Sequence, residues 1–180
     1  MEGTSLLSNA ERVSEIFSRI LNRSMSERLV ENMTKAEITY PQMQVMRFVM
    51  LHTTATIGDV ARGLSISYPS ATNMVHRLVR KELVSKEGNT KDRRLVRVLL
   101  TEKGEQLVLD VERERAERFM DVLGKMPLEQ SKELMSGLFS FVQTAVDLDL
   151  ADPDDICLRC GLQNDPNCPV ASMRGLDECK

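Results

Sequence analysis

Tryptophan is absent from this chain, and aromatic residues of all kinds make up only 4% of its 180 positions. Beside eleven methionines, that scarcity predicts a helical interior packed by Met and Leu that can deform. Histidine is nearly missing as well. His52 and His76 stand too far apart for a paired-histidine metal motif, so a His-based metal centre is not expected. No serine sits in a Gly-x-Ser-x-Gly context, no Gly-rich phosphate loop occurs and no paired-carboxylate signature is visible, which argues against an enzyme. No run of about eighteen apolar residues exists, so no membrane span is expected. The opening MEGTSLLSNAERV lacks a basic region followed by an apolar core, which makes secretion unexpected and a cytoplasmic location the expectation. A hydrophobic content of 42% is enough for one globular unit of moderate size.

What the chain does contain is concentrated between Ser67 and Gly104. At about 100° per residue, Pro69, Ser70, Asn73, His76, Arg77 and Arg80 fall on one side of a helix. Ala71, Met74, Val75 and Leu78 fall on the other at i, i+3, i+4 and i+7, ready to seat on a core. A hairpin follows. Leu83-Val84-Ser85-Lys86 reads as a short strand, Gly88-Asn89 as turn residues, and Leu95 to Leu100 as an alternating return strand. Arg77, Arg80, Lys81, Lys86, Lys91, Arg93, Arg94 and Arg97 outweigh Glu82, Glu87 and Asp92 here, in a chain whose net charge is −3. A basic patch on an acidic protein is the electrostatic footprint of a nucleic-acid contact. A helix with one free polar face can face base edges and phosphates in a major groove.

At these residues the sequence resembles the MarR family of winged helix-turn-helix regulators. The likeness rests on the helix ending Arg77-Leu-Val-Arg-Lys-Glu-Leu-Val84, the wing motif Asp92-Arg93-Arg94 and the closing run Leu99-Leu-Thr-Glu-Lys-Gly104, and it extends from about Val13 to Val146 as a matching order of elements. The resemblance implies that Ser67, Ser70, Asn73, His76 and Arg77 sit at the groove, that Arg94 enters the minor groove and that Asp92 braces the wing. Arginine suits a narrow minor groove because negative potential concentrates there. Lys91 and Arg93 are expected to touch phosphates, which position a protein without reading sequence. The resemblance also implies a dimer in which the first helix and the last two interleave across a twofold axis, and a small ligand, often an aromatic or phenolic acid, held between the dimer helices and the winged lobe. Phe17, Met43, Met46 and Phe119 are candidates for that pocket, although each reads equally as plain core.

The fold expected is therefore mainly α with a small β-hairpin wing. Residues 1–38 and 101–150 would form a helical dimerisation region, 39–100 the winged helix-turn-helix, and 151–180 a Cys-rich tail. Val13, Ile16, Phe17, Ile20 and Leu21 make an amphipathic stripe on one long helix, Asn9 to Thr34, with too much apolar surface for a solitary element. Pro41 stands in the first turn of the next helix, where its missing N–H costs little. Thr56 caps a short helix running to Gly63, a tight turn follows, and the groove-facing helix starts near Ser67. Thr101 begins a long helix to about Lys125. Its run Glu112-Arg-Glu-Arg-Ala-Glu-Arg118 reads as a solvated, self-paired face. Pro127 opens the last long helix, with Leu134, Leu138, Phe141, Val142 and Ala145 on one stripe.

From Asp147 the character changes to acidic, and all four cysteines lie in this appendage. Cys157-Leu-Arg-Cys160-Gly reads as a C-x2-C-G knuckle, whose tight turn would let two thiolates meet one metal. Cys168 and Cys179 follow at irregular spacing, with Cys179 the least secure ligand. In a reducing compartment four clustered cysteines point to metal ligation rather than disulfides. The Cys168-Pro169 end and irregular spacing favour an iron–sulfur cluster, with zinc as the alternative. The expected function is a homodimeric regulator that binds a pseudo-palindromic duplex operator and responds to a small molecule, the metal centre, or both. A redox or metal sensor governed by the tail alone, and a protein-binding winged helix with structural zinc, are the other readings.

Overall fold

The computed structural model describes residues 2–35, 37–88 and 96–160, the side chains of 2–8, 157, 159 and 160 excepted. Helix α1 (Glu2–Arg19) continues through a π-helical segment (Ile20–Glu27) into α2 (Arg28–Met33). After it come α3 (Tyr40–Leu51), α4 (Ile57–Gly63), α5 (Tyr68–Arg80), strands β1 (Val84–Gly88) and β2 (Val96–Leu100), then α6 (Glu102–Lys125), α7 (Leu128–Asp147) and α8 (Pro153–Cys160). None of the described helices is long and apolar enough to cross a membrane.

The first helix is one rod, as its stripe predicts, but it is not α-helical throughout. Within the π segment the hydrogen bonds reach one residue further: the Arg28 N–H donates to the Arg23 carbonyl, and the buried Ser26 hydroxyl donates to the Leu21 carbonyl at 3.0 Å. A π turn keeps the apolar stripe and shifts its phase, so hydrophobic spacing does not disclose it.

Helix starts are set by local chemistry. Thr56 Oγ1 accepts from the Asp59 N–H at 3.2 Å while Asp59 Oδ2 accepts from the Thr56 N–H at 2.9 Å. This reciprocal box satisfies two otherwise orphaned donors at the start of α4. Ser67 caps α5 by accepting from the Ser70 N–H, and Pro69 sits in the first turn. Between α4 and α5, Ser65 adopts φ 52°, which reverses the chain so that the Ile66 N–H meets the Ala61 carbonyl at 2.9 Å. The turn is tight and right for a helix-turn-helix.

The core lies under this motif. Leu29 and Val30, Val45 and Met46, Val60, Ala71, Val75 and Leu78, Val84, Val98 and Val108 are all essentially sealed from solvent. The side of α5 predicted to be apolar is the side that is buried, with Met74 at its half-buried edge. Losing one such side chain, for example Leu78→Ala, costs about 2–5 kcal/mol. Gly63 is needed where α4 crosses α3, because a Cβ there would stand 2.1 Å from the Phe48 ring.

The wing is an antiparallel pair, Val84 opposite Leu100 and Gly88 opposite Val96. Gly88 is therefore a strand residue, not the turn residue that its dipeptide suggested; Asn89 lies outside the described residues. Residues 55–56 add a short third edge, through the Val98 N–H to the Ala55 carbonyl at 2.8 Å and a bridge between Thr56 and Arg97. The Leu-Thr-Glu-Lys-Gly run has a physical meaning here. Thr101 Oγ1 donates to the Glu82 carbonyl at 2.7 Å and accepts from the Gly104 N–H at 3.1 Å. Gly104 lets α6 approach so closely that a Cβ would fall 2.0 Å from the Leu83 carbonyl oxygen.

The Glu112–Arg118 run behaves largely as expected, with Arg115 on Glu112 at 2.8 Å and Arg118 on Glu114 at 2.9 Å. Glu112 also reaches Arg47 of α3 at 3.7 Å, so the face is partly turned inward. By contrast α7 buries none of its residues, and it leaves Phe141 73% exposed.

The acidic tail departs from the expectation. Cys157 and Cys160 stand on an α-helix, α8, and not on a tight knuckle. Pro153 begins it, Asp154 and Asp155 fill its first turn, and the Asp154 N–H donates to Asp152 Oδ1 at 2.8 Å. Each of these is a standard helix-start device. Leu158 packs against the core, and its carbonyl is 2.9 Å from His52 Nε2. Cys168 and Cys179 lie outside the described residues.

Candidate nucleic-acid interface

Helix α5 presents its polar side outward. Asn73, His76, Arg77 and Arg80 are all exposed, and no acidic residue occurs between Ser67 and Lys81. The helix is held from beneath by Ala71, Val75 and Leu78, so this face is rigidly presented. Such a convex, cationic ridge, about three turns long, has the dimensions of an element that enters a major groove.

Ser67 and Ser70 are less free than the other groove candidates. Their hydroxyls share a hydrogen bond of 2.8 Å, and Ser67 also serves as the cap. They position the helix end before they touch anything else. Tyr68 was missed by sequence reasoning. It opens α5 and is 59% exposed, while the Thr72 hydroxyl donates to its carbonyl at 2.9 Å. Its signal was an aromatic residue next to a capping serine, in a chain that has only two tyrosines.

On the wing, Lys86 and Arg97 are exposed on neighbouring strands. Lys91, Asp92, Arg93 and Arg94 lie outside the described residues. Flanking α5, Arg62 of α4 is held at 3.2 Å from Asp59 Oδ1. The Asp59 carboxyl is kept below the ordinary carboxylate range, first because the Thr56 hydroxyl donates to it and further by the Thr56 N–H and Arg62; partial burial opposes them.

His52 is hydrogen-bonded to the Leu158 carbonyl, and its ring sits 4.3 Å from Phe48. Among the described residues no cluster of three His, Cys, Asp or Glu side chains is arranged to hold a metal.

Several clefts border the winged lobe among the described residues. One of about 430 Å³ lies between the π segment and α6, bounded by Leu21, Met25, Tyr40, Glu112, Arg115 and Phe119. Of the four pocket candidates read from sequence, Phe119 is on this wall, Met43 and Met46 are core, and Phe17 is half-buried. Another, at the end of α5, is bounded by Ile38, Lys81, Leu83, Lys103 and Leu107.

Comparison with known proteins places these features in context. Residues 36–95 match the description of the MarR family. The transcriptional regulator FarR of Neisseria gonorrhoeae is 30% identical over 109 residues, covering 59% of this chain and 75% of that protein. The transcriptional repressor MdtR of Bacillus subtilis is 28% identical over 85 residues, 47% of this chain and just over half, 55%, of its own length. Among solved structures, FabT of Streptococcus pneumoniae in complex with DNA superimposes with a TM-score of 0.66, at 21% identity over 79% of this chain and 99% of that one. At that identity the likeness is one of fold.

Proposed function

Because the chain belongs to the MarR family of winged helix-turn-helix transcriptional regulators, we propose that α5 enters the major groove of a duplex operator while the wing tip reaches the adjacent minor groove. The observation that carries this reading is the acid-free, exposed face of α5, bearing Asn73, His76, Arg77 and Arg80 opposite the buried Ala71, Val75 and Leu78. Asn73 and Arg77 offer the paired donors and acceptors that base edges require. Tyr68, Lys86 and Lys91 supply phosphate contacts, and Arg94 the minor-groove contact. A regulator of this kind works beside the chromosome, in the cytoplasm.

The protein acts as a homodimer. Support comes from the apolar surface left on the helices outside the winged lobe: Val13 and Ile16 of α1, Met120 of α6, and Met135, Phe139 and Phe141 of α7 are all largely exposed in the single chain. Apolar surface on this scale marks a protein interface, and twofold symmetry doubles the groove contacts over a pseudo-palindromic site. The cleft beside the π segment serves as an effector site, since π segments concentrate at functional positions. It joins the dimer helices to the winged lobe, and Arg115 and Tyr40 supply polar contacts on a largely apolar wall.

A second level of control resides in the tail. Helix α8 carries Cys157 and Cys160 three residues apart and docks beside α4 through Leu158 and His52. Together with Cys168 and Cys179 they would hold an iron–sulfur cluster, or zinc, next to the DNA-reading motif. Iron, sulfide and zinc assays on anaerobically purified protein test this; the absence of all three would leave a thiol switch as the account of the cysteines.

The DNA reading is tested by selecting bound sequences from a pool of random duplexes, with the wild-type chain and Asn73→Ala. The wild type should enrich a pseudo-palindrome, and Asn73→Ala should lose preference at one position of each half-site. Enrichment of no sequence by wild type would contradict the proposal.

A further inference from the structure

The tail helix α8 meets the winged lobe away from the groove face of α5. Pro153, Ile156 and Leu158 are half-buried, Leu158 packs against the core, and the helix lies against α4. Leu158 stands in the last turn of α8, where a helix leaves its carbonyls without intrahelical partners. The His52 ring meets that carbonyl, with Nε2 at 2.9 Å from the oxygen. A carbonyl oxygen only accepts, so Nε2 carries the proton and donates. A histidine N–H suits this position, at the negative end of the helix dipole.

His52 is itself firmly placed. Its ring rests on Phe48, and Phe48 is buried and wedged against Gly63 of α4. Its backbone ends α3: the N–H donates to the Phe48 carbonyl at 3.0 Å, while φ −123° and ψ 82° leave the helical range. From there the hydrogen bonds run on without a gap. The Ala55 N–H donates to the His52 carbonyl at 2.9 Å, and the Ala55 carbonyl accepts from the Val98 N–H of β2 at 2.8 Å. Ala55 and Val98 are both buried. Beside them, Thr56 bridges to Arg97 on the wing and caps α4. Residues 52–56 thus tie together the end of α3, the start of α4, the wing strand β2 and the last turn of α8.

We infer that His52 is a positioning residue for the wing: its hydrogen bond clasps α8 onto the 52–56 junction and thereby holds β2 in place. The consequence for the operator rests on the DNA-binding reading above. With α8 undocked, the His52 ring loses its partner and the Ala55–Val98 link opens more often. The wing is then less pre-organised, and its ordering is charged against DNA binding. Cys157 and Cys160 flank Leu158 in sequence, so a rearrangement of that pair reaches the wing through the Leu158 carbonyl. Contiguous packing and hydrogen bonds carry such coupling only where the groups respond together, and a mutant cycle measures whether they do.

The test uses the full chain without DNA and reads amide hydrogen exchange at Val98 by nuclear magnetic resonance, with Val108 of α6 as the reference. His52→Ala should speed exchange at Val98 by about three- to tenfold, the net worth of one hydrogen bond, and leave Val108 unchanged. Leu158→Asp, which puts a charge where α8 packs, should do at least as much. In the double variant the effects should not add, because both break the same clasp. His52→Gln, whose amide N–H can take the place of Nε2, should keep wild-type protection. Far-ultraviolet circular dichroism and melting temperature verify that each variant folds. Unchanged exchange at Val98 in folded Leu158→Asp, a His52→Ala effect that persists in full beside Leu158→Asp, or protection lost in His52→Gln as in His52→Ala overturns the proposal. Because no DNA is present, the result stands whether or not the operator reading survives. Operator affinity of the same variants is then measured separately and should fall by a similar factor; unchanged affinity in a His52→Ala chain with faster Val98 exchange overturns the consequence for binding.

Discussion

Replacing Gly104 by Ala tests how the DNA-reading lobe is joined to the rest of the chain. In an exposed helix the change is favourable, by about 0.8–1 kcal/mol of propensity. Here the added Cβ meets the Leu83 carbonyl oxygen at 2.0 Å and its carbon at 3.0 Å, where ordinary contact begins at 3.4 Å. The obstacle is backbone and cannot rotate away. Leu83 is pinned by its own N–H on the Leu78 carbonyl and by the Thr101 N–H on its oxygen, both at 3.1 Å. Relief requires α6 to retreat, which strains the Thr101 cap and the register of β2. An overlap this deep against backbone falls in the upper part of the overpacking range, about 2–3 kcal/mol, which outweighs the propensity gain and leaves a net loss of about 1–2 kcal/mol. Urea unfolding at a fixed protein concentration reads this as a midpoint lower by about 0.5–1 M. Gly58→Ala is the internal control, because its Cβ would meet only Thr56 Oγ1 at an ordinary 3.6 Å; it should gain about 0.4–1 kcal/mol. A midpoint that rises for Gly104→Ala as it does for Gly58→Ala would refute the close approach of α6 to the wing base.

Arg94→Ala should weaken operator binding strongly, and Arg77→Ala should relax discrimination at the bases it faces by about 1–3 kcal/mol; competition against mutated duplexes separates these effects, and unchanged binding in both removes α5 and the wing tip from the interface. Ile16→Asp places a charge on a surface assigned to the subunit interface and should yield monomer or aggregate in sedimentation, whereas an intact dimer would take α1 out of that interface. The depressed Asp59 carboxyl contributes stability that is complete above the ordinary carboxylate range and is lost as pH falls through its lowered value. Melting curves of wild type and Asp59→Asn should therefore diverge near neutrality and converge in acid; parallel curves would contradict the capping role.

Much of the fold was legible because its punctuation is local. Thr56, Ser67 and Thr101 each announce a helix within three residues, and each is an observed cap. The two faces of α5 followed from spacing alone, since its burial comes from a single core beneath it. Other features depend on partners distant in sequence. The contact of His52 with Leu158 spans 106 residues, and the closeness of Gly104 to Leu83 can be seen only once the wing is folded. Helix α8 did leave a local signal in Pro153-Asp154-Asp155, but the cysteine spacing drew the reading toward a turn. The π segment left none, because its hydrophobic stripe runs on unbroken. Tyr68 was passed over because its exposure depends on how α5 meets α4, and not on its place in the stripe.

The central claim is that two copies of this chain grip one duplex through cationic α5 faces. Fluorescence anisotropy of a labelled duplex carrying the selected sequence, titrated with the full chain over a series of salt concentrations, measures it most directly. The account predicts two chains per duplex and an affinity that falls by about 10³-fold or more between 50 and 200 mM salt, as expected for about six or more neutralised phosphates. A stoichiometry of one, an affinity indifferent to salt, or no binding at low salt would contradict it.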